Sequence, residues 1–268
     1  MQSDWDIRAI GPTSQTFPKP TGWLIDGKKI RLDKFSIKMA TKALALRKFI
    51  KPACEEAWNT RLNRQLPWPK IWKIKSFFAT PRDTLTGLKI FHRNLYVAAK
   101  DVNATDPTCR ASDDTETQLH LCDCAIIQKE FWEPLIDMLV ENGMTRPHNI
   151  TDFIATATIS DTEVIHRYYS GAWFIGWRCV YAAVVHSRIE NVPLDLEAAL
   201  KRAVAIIGSR LKAYGFKWKS WVNAGRRLPN PRIIPAKHRE KGLITQDSDG
   251  EYTLSDAYWK LAKALRLA

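Results

Sequence analysis

Cysteine is scarce and odd in number, five in 268 residues. That excludes a fully paired disulfide framework and points to thiols that are free or metal-bound in a reducing compartment. No hydrophobic signal stretch follows Met1, so the expected location is intracellular, nuclear or cytoplasmic. The most apolar run, Tyr168 to Val185, is interrupted by Arg178. A central arginine costs a membrane span roughly 2.5–3.5 kcal/mol, so this run reads as a buried core helix and no membrane partner is expected.

Catalytic signatures are missing too. Ala111-Ser112-Asp113-Asp114 lacks the aromatic residue and strand context of a polymerase motif. There is no glycine-rich phosphate loop, no H-E-x-x-H and no G-x-S-x-G. No pair of acids followed by lysine reads as a nuclease site. A non-catalytic chain is expected; an enzyme would need convergent acids, such as Asp161 and Glu163, in one cleft.

What is present is a concentration of thiols between two helical patterns, C-R-A-S-D-D-T-E-T-Q-L-H-L-C-D-C from Cys109 to Cys124. The spacing Cys109-x2-Ser112-x7-His120-x3-Cys124 is that of a zinc knuckle with serine in one ligand position. Structural zinc takes four tetrahedral nitrogen or sulfur ligands. Cys109, His120 and Cys124 are three candidates. The fourth could be Cys122, a carboxylate from Asp113 or Asp114, or water. The competing reading is a degenerate knuckle that keeps its hairpin without metal. His92, on the Phe91 face of a helix, is expected to be packed or hydrogen-bonded rather than a ligand.

Charge is unevenly spread over a chain of net +13. Residues 1–100 carry 20 Lys/Arg against 7 Asp/Glu, residues 101–200 carry 6 against 16, and residues 201–268 carry 15 against 5. Two basic flanks around an acidic middle suit a polyanion partner. Lys38 and Lys42 in the first flank, and Lys217, Trp218, Lys219, Trp221, Arg226 and Arg227 in the last, combine phosphate-neutralising cations with rings able to stack on unpaired bases. The alternative is that the rings pack inward and the lysines face water.

The composition is that of a globular chain, and helical periodicity dominates. Residues 1–32 read as an irregular lead-in closed by a hairpin at Asp26-Gly27. A helical domain follows over 33–225, with the knuckle-like segment at 106–124, then a basic linker over 226–252 and a tail helix over 253–268. Within the domain, helices are expected over 33–49 and 52–62. Another should start at Thr80-Pro81-Arg82-Asp83 and run to Val97. Others are expected over Ala125–Asn142 with a bend at Pro134, from the capping box Ser160-Asp161-Thr162-Glu163 to about Ser187, and from Leu196 to Tyr214, capped by Asp195 and stopped by Gly215. The fold class is mostly α, a helical bundle with a small degenerate zinc-knuckle hairpin between helices.

One resemblance covers residues 66–135. The order Trp68, Ile71-Trp72, Thr80-Pro81-Arg82-Asp83, Leu88-Lys89, His92-Arg93, Leu95, Cys109-x2-Ser112, Glu116-Thr117-x2-His120-Leu121, Cys124 and Trp132 resembles the zinc-binding region downstream of the polymerase in non-LTR (LINE-type) retrotransposon reverse transcriptases. Phe35-Ser-Ile-Lys38 and Trp177 to Tyr181 resemble the flanking parts more loosely. The family normally has cysteine where Ser112 stands, and a slightly longer gap between the histidine and the last cysteine. The resemblance implies Zn2+ on Cys109, His120 and Cys124, with Lys89 and Arg93 near nucleic acid. It further implies RNA or DNA and a reverse-transcriptase core as partners. The rival reading is a domesticated scaffold that binds a protein.

Overall fold

In the computed structural model the described residues are 23–25, 28–30, 52–76, 78–101, 106–223, 242–246 and 252–267. The chain divides into two units, Met1–Lys51 and Pro52–Ala268. In the first, β1 (Trp23–Ile25) pairs antiparallel with β2 (Lys28–Ile30), Ile25 opposite Lys28. That is the hairpin expected at Asp26-Gly27. The 33–49 helix, Lys38 and Lys42 lie outside the described residues.

The second unit is mostly helical. Its elements are α1 (Ala53–Arg61), α2 (Trp68–Ile71), α3 (Pro81–Phe91), a 3-10 turn (Ala98–Lys100), α4 (His120–Asp123), α5 (Ala125–Ile127), α6 (Glu133–Glu141), α7 (Ile150–Thr156), α8 (Ser170–Glu190) and α9 (Leu196–Asn223). After these come β3 (Ile244–Gln246), β4 (Tyr252–Leu254) and α10 (Asp256–Ala264).

Helix α8 is the centre because its first two turns carry almost nothing polar: every residue from Ser170 to Trp177 is buried, as a stretch apolar on all sides must be. Helices α3 and α9 pack on it. At the α3 crossing, a Cβ added to Gly87 would lie 2.4 Å from the Phe174 ring and 2.8 Å from Trp173. Only glycine allows that approach.

Five tryptophans are packing anchors that solve the same problem, an apolar ring carrying one donor. Trp58 donates to the Phe91 carbonyl (3.0 Å), Trp173 to that of Phe153 (2.9 Å) and Trp177 to that of Ile154 (2.7 Å). Trp68 donates to Asn59 Oδ1 (3.0 Å) and Trp72 to Glu55 Oε1 (2.7 Å). Each such ring buries roughly 150–250 Å², on the order of 4–6 kcal/mol of transfer free energy before entropy.

Arg178, the residue that breaks the apolar run, has its counter-charge in Asp83. That carboxylate is fully buried. It closes the α3 capping box through Thr80 N–H (2.7 Å) and receives Arg178 Nη1 (2.6 Å) from α8 and Arg210 Nη1 from α9. Burial opposes its ionisation, but the bonds from Arg210 and Thr80 outweigh it and hold Asp83 below its ordinary pKa. One carboxylate thus ties three helices. Among the described residues no helix is long and apolar enough to cross a membrane.

Several boundaries differ from expectation. Helix α3 stops at Phe91 rather than Val97, where Arg93 takes φ 53° and Asn94 N–H reaches back to the Lys89 carbonyl (2.7 Å). Ser160 to Glu163 is a turn, not a helix cap: Thr158 pairs with Val164, and Ile165 N–H bonds the Ala157 carbonyl (2.8 Å). Strand pairing captured the residues that the helix would have used, so α8 begins ten residues later. Pro134 follows a π-helical turn, Gln128–Trp132, in which Glu133 N–H reaches the Gln128 carbonyl. The wider turn omits a regular bond where proline has no N–H to give.

Asp195 caps α9 as expected (Ala198 N–H, 2.8 Å), but the helix runs through Gly215 to Asn223. Glycine lowers helix stability by only about 1 kcal/mol, which does not stop a long helix. The tail is part of the second unit rather than an appendage. Helix α10 starts at Asp256 rather than at 253, capped by Ser255, Ile244 N–H bonds Tyr168 Oη (3.0 Å), and Tyr258 Oη donates to the Val204 carbonyl (3.2 Å).

Candidate metal centre

The Cys109 arm is a tight hairpin. Thr108 pairs antiparallel with Thr115, and Glu116 N–H bonds the Pro107 carbonyl (2.8 Å). Across the turn, Cys109 N–H meets the Asp114 carbonyl (2.7 Å), and Ala111 N–H points at Cys109 Sγ (3.4 Å). That last bond orients the sulfur.

The other arm is helical. Thr117 Oγ1 accepts from His120 N–H (3.0 Å) and opens α4. At Cys124 the backbone turns out of the helix (ψ 114°), and α5 starts immediately afterwards. Cys124 therefore sits at a helix start, and its sulfur takes bonds from the Ile127 and Ile126 N–H groups.

These arms bring together Cys109, His120 and Cys124, whose ligand atoms lie within 4.8 Å of one another. The group could hold a metal ion. Both cysteines are buried, and the His120 side chain is 12% exposed. The bond from the Cys109 thiol is the largest influence on Cys124; with the two N–H groups it outweighs burial, which acts the other way, and the pKa falls to about 5. The same bond and burial push Cys109 well up. The pair thus holds one proton, with negative charge favoured on the sulfur at the helix start.

Ser112 Oγ, at the position a fourth knuckle ligand would occupy, lies 3.1 Å from His120 Nε2 and 3.3 Å from Asp114 Oδ2. On the other ring nitrogen, His120 Nδ1 is 3.9 Å from Asp114 and 3.7 Å from Asp123. A surface depression beside the group is lined by Ser112, Asp114, His120, Asp123 and Cys124.

The expectation that Cys122 could complete the group is corrected. Its thiol is fully buried and donates to the Gln118 carbonyl (3.2 Å), and burial raises its pKa well above the ordinary value. Cys122 on α4 faces the core, and Cys124, just past the helix end, faces the site. Asp113 is exposed, and Asp114 is the acid that stands at the rim. Asp123 was missed by sequence reasoning, although its place three residues after His120 puts both on one helical turn. His92 caps the end of α3 with its ring 5.1 Å from Trp72 and Nδ1 3.8 Å from Cys54 Sγ.

The hairpin is held from below without metal. Glu116, fully buried, accepts from Ala98 N–H (3.0 Å) and from Arg188 of α8. Gln118 bonds the Ile90 carbonyl (2.7 Å) and Leu95 N–H (3.2 Å), and Arg110 reaches Asn191 (3.1 Å).

Of the expected nucleic-acid residues, Lys89 is exposed on α3 and the Arg93 guanidinium lies 5.9 Å over the Trp58 ring. Lys217, Trp218, Lys219 and Trp221 fall on the last part of α9, and their side chains lie outside the described residues, as do Arg226 and Arg227. Asp161 pairs with Arg64 (2.8 Å). No family model matches the chain, and no curated protein or solved structure matches it.

Proposed function

We propose that the second unit is a zinc-stabilised, non-catalytic nucleic-acid-binding region, of the kind found downstream of the polymerase in LINE-type reverse transcriptases. The observation that carries the metal half is the meeting of Cys109, His120 and Cys124 within 4.8 Å. Two thiols and one imidazole form a donor set suited to zinc, and one sulfur is already biased toward thiolate. Cys109, His120 and Cys124 would hold the ion, with Asp114 or water completing the set. The ion would act as a clamp between hairpin and helix rather than as a reagent. The nucleic-acid half is supported by an excess of 30 Lys/Arg over 24 Asp/Glu in residues 52–268, within a whole chain of net charge +13, which favours a polyanion partner.

Two measurements test the reading. Cobalt(II) added to the protein should give the intense near-ultraviolet absorption of metal–thiolate charge transfer, absent in Cys124→Ser; no such band in the wild type would sink the metal assignment. Binding to a labelled oligonucleotide should weaken steeply with salt. Affinity equal at low and moderate salt would sink the nucleic-acid assignment.

A further inference from the structure

All five cysteines are free thiols, and two of them face each other. Cys109 comes from the hairpin and Cys124 from the junction of α4 and α5. Their sulfurs lie within 4.8 Å, and the Cys109 thiol is hydrogen-bonded to Cys124. The other thiols are placed differently. Cys122 is fully buried and donates to the Gln118 carbonyl, Cys179 is buried on α8, and Cys54 stands beside His92.

The two facing sulfurs also differ in access. Cys124 lines the surface depression, whose volume is about 560 Å³, together with Ser112, Asp114, His120 and Asp123. Cys109 does not line it. A peroxide molecule, scarcely larger than water, therefore reaches Cys124 first.

We infer that Cys124 is a site of oxidation by hydrogen peroxide and that Cys109 resolves it into a Cys109–Cys124 disulfide. The Cys124 sulfur attacks one peroxide oxygen. The S–O bond forms as the O–O bond breaks, the other oxygen leaves with the thiol proton as water, and Cys124 becomes a sulfenic acid. The Cys109 sulfur then attacks the Cys124 sulfur. The S–S bond forms as the S–O bond breaks, and the hydroxyl leaves with the Cys109 proton as a second water. Each sulfur gives up one electron and the peroxide takes both.

These are the same two thiols that would hold zinc, so ion and disulfide exclude each other. An occupied site resists peroxide, and an oxidised one has lost two of its ligands. That exclusion rests on the metal reading above; the disulfide does not.

The test is peptide mass spectrometry of the full chain, stripped of metal with a chelator, treated with a small excess of hydrogen peroxide, alkylated and digested with trypsin without reduction. Cleavage after Lys100, Arg110 and Lys129 separates Cys109 from the peptide that carries Cys122 and Cys124. The expected product is the two peptides joined with the loss of two hydrogens, and fragmentation between Cys122 and Cys124 should place the link on Cys124. In Cys109→Ser the sulfenic acid has no resolving thiol, so dimedone should label Cys124; in Cys124→Ser it should leave Cys109 unlabelled. Zinc added beforehand should slow the link at least about tenfold, since the ligands are held as metal thiolates. No link in the metal-free wild type, a link to Cys122, or dimedone on Cys109 would overturn the inference. A Cys109–Cys124 link formed equally fast with and without zinc would overturn the exclusion and the metal reading while leaving the disulfide in place.

Discussion

Two polar clusters join helices in this molecule, and they are finished differently. At Asp83 one fully buried carboxylate meets two guanidiniums and the capping threonine, and no buried side-chain polar atom of that cluster is unpaired. At Cys109, His120 and Cys124 the donors converge but remain open to a depression with Ser112, Asp114 and Asp123 on its rim. A closed cluster can only hold the fold together. An open one, with soft donors and a sulfur biased toward thiolate, has capacity left for a ligand. Position at a helix junction does not distinguish them; spare coordination does.

The largest expected effect breaks the closed cluster. Asp83→Asn would leave Arg178 and Arg210 facing each other without a counter-charge and should destabilise the second unit by about 3–5 kcal/mol, read by chemical denaturation. A loss under about 1 kcal/mol would mean that the three helices do not depend on it. By contrast, Cys109→Ser without metal should cost only about 1 kcal/mol, because Glu116, Gln118 and Arg110 already dock the hairpin. With zinc present the wild type should gain stability that Cys109→Ser does not, as a ligand bound only to the native state requires.

The comparison also shows what was legible. The Thr80-Pro81-Arg82-Asp83 cap could be read because its chemistry is contained in four residues. Ser160 to Glu163 carries the same pattern and became a turn, because its fate was set by pairing between Thr158 and Val164. The metal group was legible as a spacing, since hairpin and helix bring nearby residues together. What spacing could not show was that Cys122 turns inward while Cys124 breaks the helix. The Asp83 cluster was invisible, with partners 95 and 127 residues away.

Acid also tests the closed cluster. Asp83 has a folded pKa below its unfolded value of about 3.9, so its contribution is complete above that value and is lost as pH falls through the folded one. Stability measured from pH 6 to pH 2 should therefore fall more steeply in the wild type than in Asp83→Asn. Parallel curves would assign acid sensitivity elsewhere. The gentlest change sharpens the open cluster: Ser112→Cys supplies a second thiolate in the C-x2-C turn and should tighten zinc binding. Unchanged affinity in a zinc titration would mean that position 112 does not face the ion.

Zinc content by elemental analysis is the most direct measurement, made on wild type, Cys109→Ser and Cys122→Ser purified alike. The expected result is about one zinc per chain in the wild type and in Cys122→Ser, and none in Cys109→Ser. No zinc in the wild type after purification with zinc supplied, or loss on changing Cys122, would contradict the assignment of Cys109, His120 and Cys124 as a metal centre.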